Sequence, residues 1–243
     1  LNATKVPLGA LRGGGAAIVA CAPAAGPCEE PSMRVTHYGH ACVLLETDRA
    51  RILVDPGAFS SGFEELTDLD AVLIAHQHDY HSDTDRLPPL LSANPGAQLV
   101  TDPGSRDTVA GLGLDSRTVQ PGDAFAAGGA TVDVVGGDHA TIHRDIPVIP
   151  NVGFLVDHGA FYHPGDSFFV PEQEIDVLGL PTAAPWLKAA EAVDYLRAVA
   201  PRLAVPIHEA VLANPAMHHG LFTNLAPDGT EVKVLPRAEQ TAV

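Results

Sequence analysis

Ala75-His76-Gln77-His78-Asp79-Tyr80-His81 follows directly on the apolar residues Ala71-Val72-Leu73-Ile74. Three imidazoles in six residues at the mouth of a buried strand put metal-ligand chemistry where α/β enzymes keep their sites. Imidazole is the commonest protein ligand for zinc and also suits iron, nickel and copper. His76 and His78, two apart on extended chain, point the same way and can share one ion. His81 is left for a neighbouring ion.

Working outward, Val35 to Glu46 and Arg51 to Asp55 are β-prone, joined by the hairpin turn Thr47-Asp48-Arg49-Ala50. Asp83-Thr84-Asp85-Arg86-Leu87 has the polar cap and acidic first turn of a helix start, so the histidine run lies on a strand-to-helix loop. Ala97 to Thr101 reads as a strand and Ser105 to Leu112 as a helix stopped by Gly113. Ala130 to Val135 alternates as a strand and runs into Gly136-Gly137-Asp138-His139. Val152 to Val156 and Ala160 to Tyr162 pair across Asp157-His158-Gly159 and lead into His163-Pro164-Gly165-Asp166. Ile175 to Leu180 is a buried strand, and Trp186 to Ala200 has the period of an amphipathic helix with Trp186 as its first core contact. Leu203 to Ile207 is a strand that ends at His208. Four strands thus end beside a His or an Asp, and two packed sheets with helices outside accommodate the order.

The 243 residues carry 14 basic and 30 acidic side chains, a formal charge of −16. Without a basic cluster to displace counterions, nucleic acid is excluded as a partner and a small-molecule substrate is expected. No apolar run reaches the roughly 18 residues of a membrane span. Cys21, Cys28 and Cys42 lack CxxC spacing and form neither a disulfide framework nor a thiolate site, and Cys42 reads as a buried small hydrophobe. Residues 1–32, rich in Ala, Gly and Pro, read as a leader, linker or non-native extension, and the folded domain as 33–243. A cytoplasmic location is expected, with a secreted or lipoprotein form as the lesser reading of residues 1–32. Nothing in the chain fixes the oligomeric state.

Gly39-His40-Ala41, Asp55-Pro56-Gly57, the HxHxxH run, His139, Gly165-Asp166 and Pro206-Ile207-His208 together resemble the metallo-β-lactamase fold superfamily. Within it the chain is similar to compact hydrolases related to ascorbate-phosphate lactonases and an N-acyl-phosphatidylethanolamine-hydrolysing phospholipase D. The resemblance implies an α/β fold, an αββα four-layer sandwich of two mixed β-sheets flanked by helices, with a two-metal site between the sheets. It makes His76, His78 and His139 ligands of one ion, His81 and His208 ligands of a second, and Asp166 the bridge. It implies two divalent ions, zinc foremost, with manganese or iron as alternatives.

One position departs from the superfamily pattern HxHxDH. Tyr80 stands where the pattern has Asp, and Asp79 lies one place earlier on the opposite side of an extended chain. The second site is therefore expected to be the weaker. Tyr80 and Asp79 are the candidates for catalysis beside the ligands. Tyr80 could ligate as phenolate, donate a proton or line the pocket. His40 and His143 are candidates for orienting ligands or contacting substrate.

The reaction expected from this set is hydrolysis by a metal-activated hydroxide, cleaving a phosphoester or a carboxylic ester or lactone of a small substrate. The chain has no GxSxG elbow, and such a reaction requires none. Three other readings stay open: a β-lactam or other amide hydrolase, an iron-dependent oxidoreductase using His76, His139 and Asp166, and a degenerate metal binder without activity.

Overall fold

Strands buried on both faces need apolar residues at every position, and the central strands here have them. The computed structural model describes residues 33–243. The reading of residues 1–32, Cys21 and Cys28 included, lies outside the described residues.

The chain opens with β1 (Arg34–Gly39), β2 (Cys42–Glu46) and β3 (Arg51–Val54), which pair antiparallel in sequence. The expected single β-prone stretch from Val35 to Glu46 is thus two strands. His40 at φ 49° turns the chain back on itself, with a register shift between His37 and Gly39. Then follow β4 (Ala71–Ile74), α1 (Leu87–Ala93), β5 (Gln98–Thr101), α2 (Arg106–Gly111) and the short β6 (Arg117–Thr118), with β3 to β6 parallel. The helix expected from Asp83 begins at Leu87, because Asp83 Oδ1 accepts the Asp85 and Arg86 amides in a turn before it.

A second sheet is formed by β7 (Ala124–Ala127), β8 (Ala130–Asp138), β9 (Pro150–Val156), β10 (Phe161–His163), β11 (Val177–Pro181), β12 (Leu203–Ile207) and β13 (Glu231–Val232). Its helices are α3 (Ala189–Val199) and α4 (Pro215–Leu225), and β14 (Gln240–Ala242) returns to the edge of the first sheet beside β1. Each sheet has seven strands.

Side chains sort the layers. Ile52 and Val54 join Leu73, Phe154, Val156, Phe161, Val205 and Ile207 in one core between the sheets. Leu53, Val72 and Ile74 face the other way, against Leu87, Leu90 and Val109 of α1 and α2. Leu155, Leu178 and Ala204 likewise pack on Val193, Leu196 and Phe222 of α3 and α4. Period-two alternation with apolar residues in both phases produces the expected αββα sandwich. Cys42 is fully buried, as expected of a small hydrophobe.

The site lies where strands of both sheets end. β4 runs into His76, β8 into His139, β10 into the loop carrying Asp166 and β12 into His208. Phe154, fully buried between the sheets, measures what this core contributes. Phe154→Ala is expected to lower stability by about 3–5 kcal/mol through lost burial and a residual cavity, read from the urea midpoint at unchanged slope.

Candidate metal centre

The histidine loop after β4 is held from outside. The Ala58 amide donates to the Asp79 carbonyl at 2.8 Å, and Gly57 lies so close that a Cβ there would collide with the Tyr80 carbonyl. Only glycine lets these two loops approach this closely. Asp55, at φ 49°, accepts the Ala75 amide on Oδ1 at 2.7 Å and the His81 Nδ1 proton on Oδ2 at 2.6 Å. The latter contact leaves His81 Nε2 facing Asp166 Oδ1 at 3.2 Å.

Asp166 is the hub. Its amide donates to Asn151 Oδ1 at 2.9 Å, and Gly165 at φ 62° brings the loop against Asn151 and Ala75. Oδ2 lies 3.1 Å from His139 Nε2 and 3.7 Å from His76 Nε2, while Oδ1 lies 3.2 Å from both His81 Nε2 and His208 Nδ1. One carboxylate therefore faces two histidine groups with different oxygens. His76 Nε2 and His78 Nδ1 are 3.0 Å apart, and the 2.6 Å bond from His139 Nδ1 to the Ala140 carbonyl leaves Nε2 for the centre.

Two groups of ligand atoms result, each within 4.8 Å: His76, His78, His139 and Asp166, and His40, His81 and His208. Among the described residues, seven buried polar atoms of this centre have no hydrogen-bond partner: both ring nitrogens of His40 and of His208, His76 Nδ1, His81 Nε2 and Asp166 Oδ1. An unpaired buried polar atom costs about 1–3 kcal/mol, so such a concentration needs an occupant. Donors about 2.0–2.1 Å from a tetrahedral zinc ion lie about 3.3 Å apart, which matches the contacts around Asp166.

The protonation states of most of these groups fit as well, and His81 must give up a proton on binding an ion. Burial pushes His76, His78 and His208 below the ordinary imidazole range and His40 to about 3, so their lone pairs are free at neutral pH. Burial alone would raise the Asp166 pKa, but the imidazoles of His208 and His81 and the hydrogen bond with His139 hold it well below the usual range. Burial would lower His81, yet the carboxylates Asp55 and Asp166 outweigh it and raise the ring to about 9.

Sequence comparison meets this geometry. A family model described as the beta-lactamase superfamily domain matches residues 34–208. The chain belongs to this superfamily. It is 50% identical over 217 residues to protein Rv0786c of Mycobacterium tuberculosis, covering 87% of this chain and 99% of that one. It is 28% identical over 232 residues to a UPF0173 metal-dependent hydrolase of Opitutus terrae, covering 87% and 100%. The fold is shared with Igni18, a metallo hydrolase of Ignicoccus hospitalis, at a TM-score of 0.68 and 20% identity over 87% of this chain and 98% of that one.

The structure brings the six residues expected as superfamily ligands to one centre and separates the other candidates. His40 enters it through the β1–β2 turn, its ring stacked on His208 at 4.6 Å. The Tyr80 hydroxyl lies 2.8 Å from His78 Nδ1 and donates to Asp166 Oδ2 at 3.2 Å. Asp79 does not reach the centre. Its side chain is exposed and lines a separate cleft with Ser82, Thr84 and Thr108. His143 is also exposed, on the loop after β8 and 3.6 Å from Asp145, and belongs to neither ligand group.

Trp186 differs from expectation. It precedes α3 and its indole donates to Asp166 Oδ2 at 3.0 Å. The apolar period near it signals a helix but carries no information on an indole turned back to the site. Asn151 and His163 were not singled out in the sequence. Asn151 holds the Asp166 loop through its amide and the Pro164 carbonyl, and His163 donates to the Ala41 carbonyl at 2.9 Å.

Asp55 gives a pH test on metal-free protein. The His81 pKa rises from about 6.5 unfolded to about 9 folded, so its contribution to stability is fully present below pH 6.5 and lost as pH rises through 9. Urea unfolding at pH 6.5 and 9.5 is expected to show that loss in wild type and a shallower one in Asp55→Asn. Equal pH dependence in both would exclude Asp55 as the partner that holds the proton.

Proposed function

We propose that the protein is a metal-dependent hydrolase acting on a small, uncharged carboxylic ester or lactone with a compact apolar group. The observation that carries the substrate class is a pocket of about 230 Å³ against the metal centre, lined by Phe59, Tyr80, Ala183, Ala184, Pro185 and Val211 beside His40. Among the described residues none that lines it is a lysine or arginine, and the chain carries a formal charge of −16. The pocket walls give a phosphoester no lysine or arginine beyond the ions themselves, and its charge would gain nothing from the apolar lining. A neutral acyl group gains from the same burial. The name of the Opitutus terrae relative supports the reaction class.

The residues fit two divalent ions, zinc foremost, with His76, His78, His139 and Asp166 toward the first. Bound there, such ions acidify water toward a pKa of about 7 and polarise the attacked carbonyl. Asp166 keeps its position through the Trp186 indole and the Asn151 amide group. Asp55 keeps the His81 ring turned toward Asp166.

Tyr80 has the role of proton donor. Burial, and then the Asp166 carboxylate, raise the phenol pKa, so the hydroxyl stays protonated at the edge of the pocket. It delivers its proton to the leaving alkoxide oxygen as the acyl C–O bond breaks. The entering water supplies the hydroxyl to the acyl carbon and, in the net, the proton that restores Tyr80.

Assays on short-chain nitrophenyl esters, five- and six-membered lactones and nitrophenyl phosphate, with zinc or manganese, test the substrate class. Turnover of esters or lactones that is lost on chelation and returns with metal is the expected result. Faster turnover of the phosphoester would sink the class. Tyr80→Phe is expected to lower kcat about 10²-fold on lactones, whose alkoxide leaving group needs a proton, and much less on nitrophenyl esters, at unchanged metal content. An unchanged kcat on lactones would leave the phenol as pocket lining only.

A further inference from the structure

We propose that His40 is a ligand of the second ion, which is held by a three-histidine set of His40, His81 and His208 with Asp166 shared between the ions. This rests on the metal-dependent reading above and adds a ligand to it. The residue after the HxHx portion of the loop, Tyr80, turns its hydroxyl to His78 and Asp166 and so serves the first group. The second group receives its third imidazole from the β1–β2 turn.

Geometry and hydrogen bonding support the assignment. The ligand atoms of His40, His81 and His208 lie within 4.8 Å of one another, and all three rings are buried. Among the described residues neither nitrogen of His40 has a hydrogen-bond partner, and His81 Nε2 and His208 Nδ1 face only Asp166 Oδ1, each at 3.2 Å and without a hydrogen bond. An imidazole kept only for packing would have at least one nitrogen satisfied, as His163 has on the Ala41 carbonyl.

The backbone of His40 is fixed far more tightly than pocket lining requires. Its amide donates to Glu209 Oε1 at 3.1 Å, and its carbonyl accepts the His208 amide and His37 Nε2, each at 2.9 Å. His40 and His208 thus clamp each other through the main chain while their rings stack at 22°. Both adopt left-handed backbone, at φ 49° and 67°, a conformation that non-glycine residues hold only where the surroundings impose it. Two left-handed residues joined by a hydrogen bond, with ring nitrogens that make no hydrogen bond among the described residues, are built to present donors to one point.

The test is metal stoichiometry. Protein stripped by chelation is reloaded with cobalt(II), and ions per chain are counted by elemental analysis for wild type, His40→Ala and the exposed-site control His143→Ala. Two ions are expected for wild type and the control, and one for His40→Ala. The rise in Tm on cobalt addition, measured for each variant against its own metal-free Tm, should shrink in His40→Ala and not in His143→Ala. His40→Gln serves in the same way if the alanine variant does not fold.

Two ions in His40→Ala, retained against chelator as in wild type, would overturn the assignment. A wild type that saturates at one ion which His40→Ala also keeps would do the same. Wild type that binds no metal would instead remove the hydrolase reading on which the assignment rests.

Discussion

The Asp166 carboxylate is the element on which the rest of the site depends. It is fully buried, and a buried anion is tolerated only where charge and hydrogen bonds surround it. Its two oxygens divide the centre: one meets His139, His76, Tyr80 and Trp186, the other His81 and His208. Remove the charge and the imidazoles lose the acceptor around which they are arranged. The loop that carries it is held by Asn151 from the second sheet and touches Ala75 of the first through Gly165. The position of the carboxylate is therefore a property of the sandwich and not of the loop alone.

The same requirement explains the strained backbone. Asp55, His40 and His208 all have positive φ, and each contributes a side chain or a main-chain group to the centre. Strand residues send side chains alternately to the two faces of a sheet, and a left-handed residue breaks that alternation where the chain leaves the strand. Asp55 spends one oxygen on the Ala75 amide and the other on His81, so the end of β4 and the orientation of a ligand ring are set by one group. Such carboxylate–histidine support is what keeps a metal site's ligands in one tautomer and one rotamer.

Much of this was legible in the sequence. The central strands were apolar in both phases, so burial on both faces and the layered sandwich could be read from Ala71–Ile74 and Leu203–Ile207. The ligand-bearing strand ends were legible because His and Asp interrupt apolar runs where the chain leaves the core. Edge strands such as β6, β13 and β14 were not, since two or three residues with half-exposed side chains carry too little periodicity. The break at His40 was hidden because β-prone residues lie on both sides of it, and α4 because its apolar residues form only a weak stripe.

By itself the sequence determined the residue types of the centre, their order along the chain, the absence of a cationic cluster and the layered fold. Those follow from local rules of periodicity and ligand chemistry that act over a few residues. Only the tertiary structure decided which way each candidate faces: Asp79 and His143 outward, Trp186 and His40 inward, and Tyr80 toward His78 and Asp166. Residues as distant as His40 and His208 meet through a backbone hydrogen bond between two sheets. No spacing encodes such a contact, because its energy depends on packing closed over the whole domain.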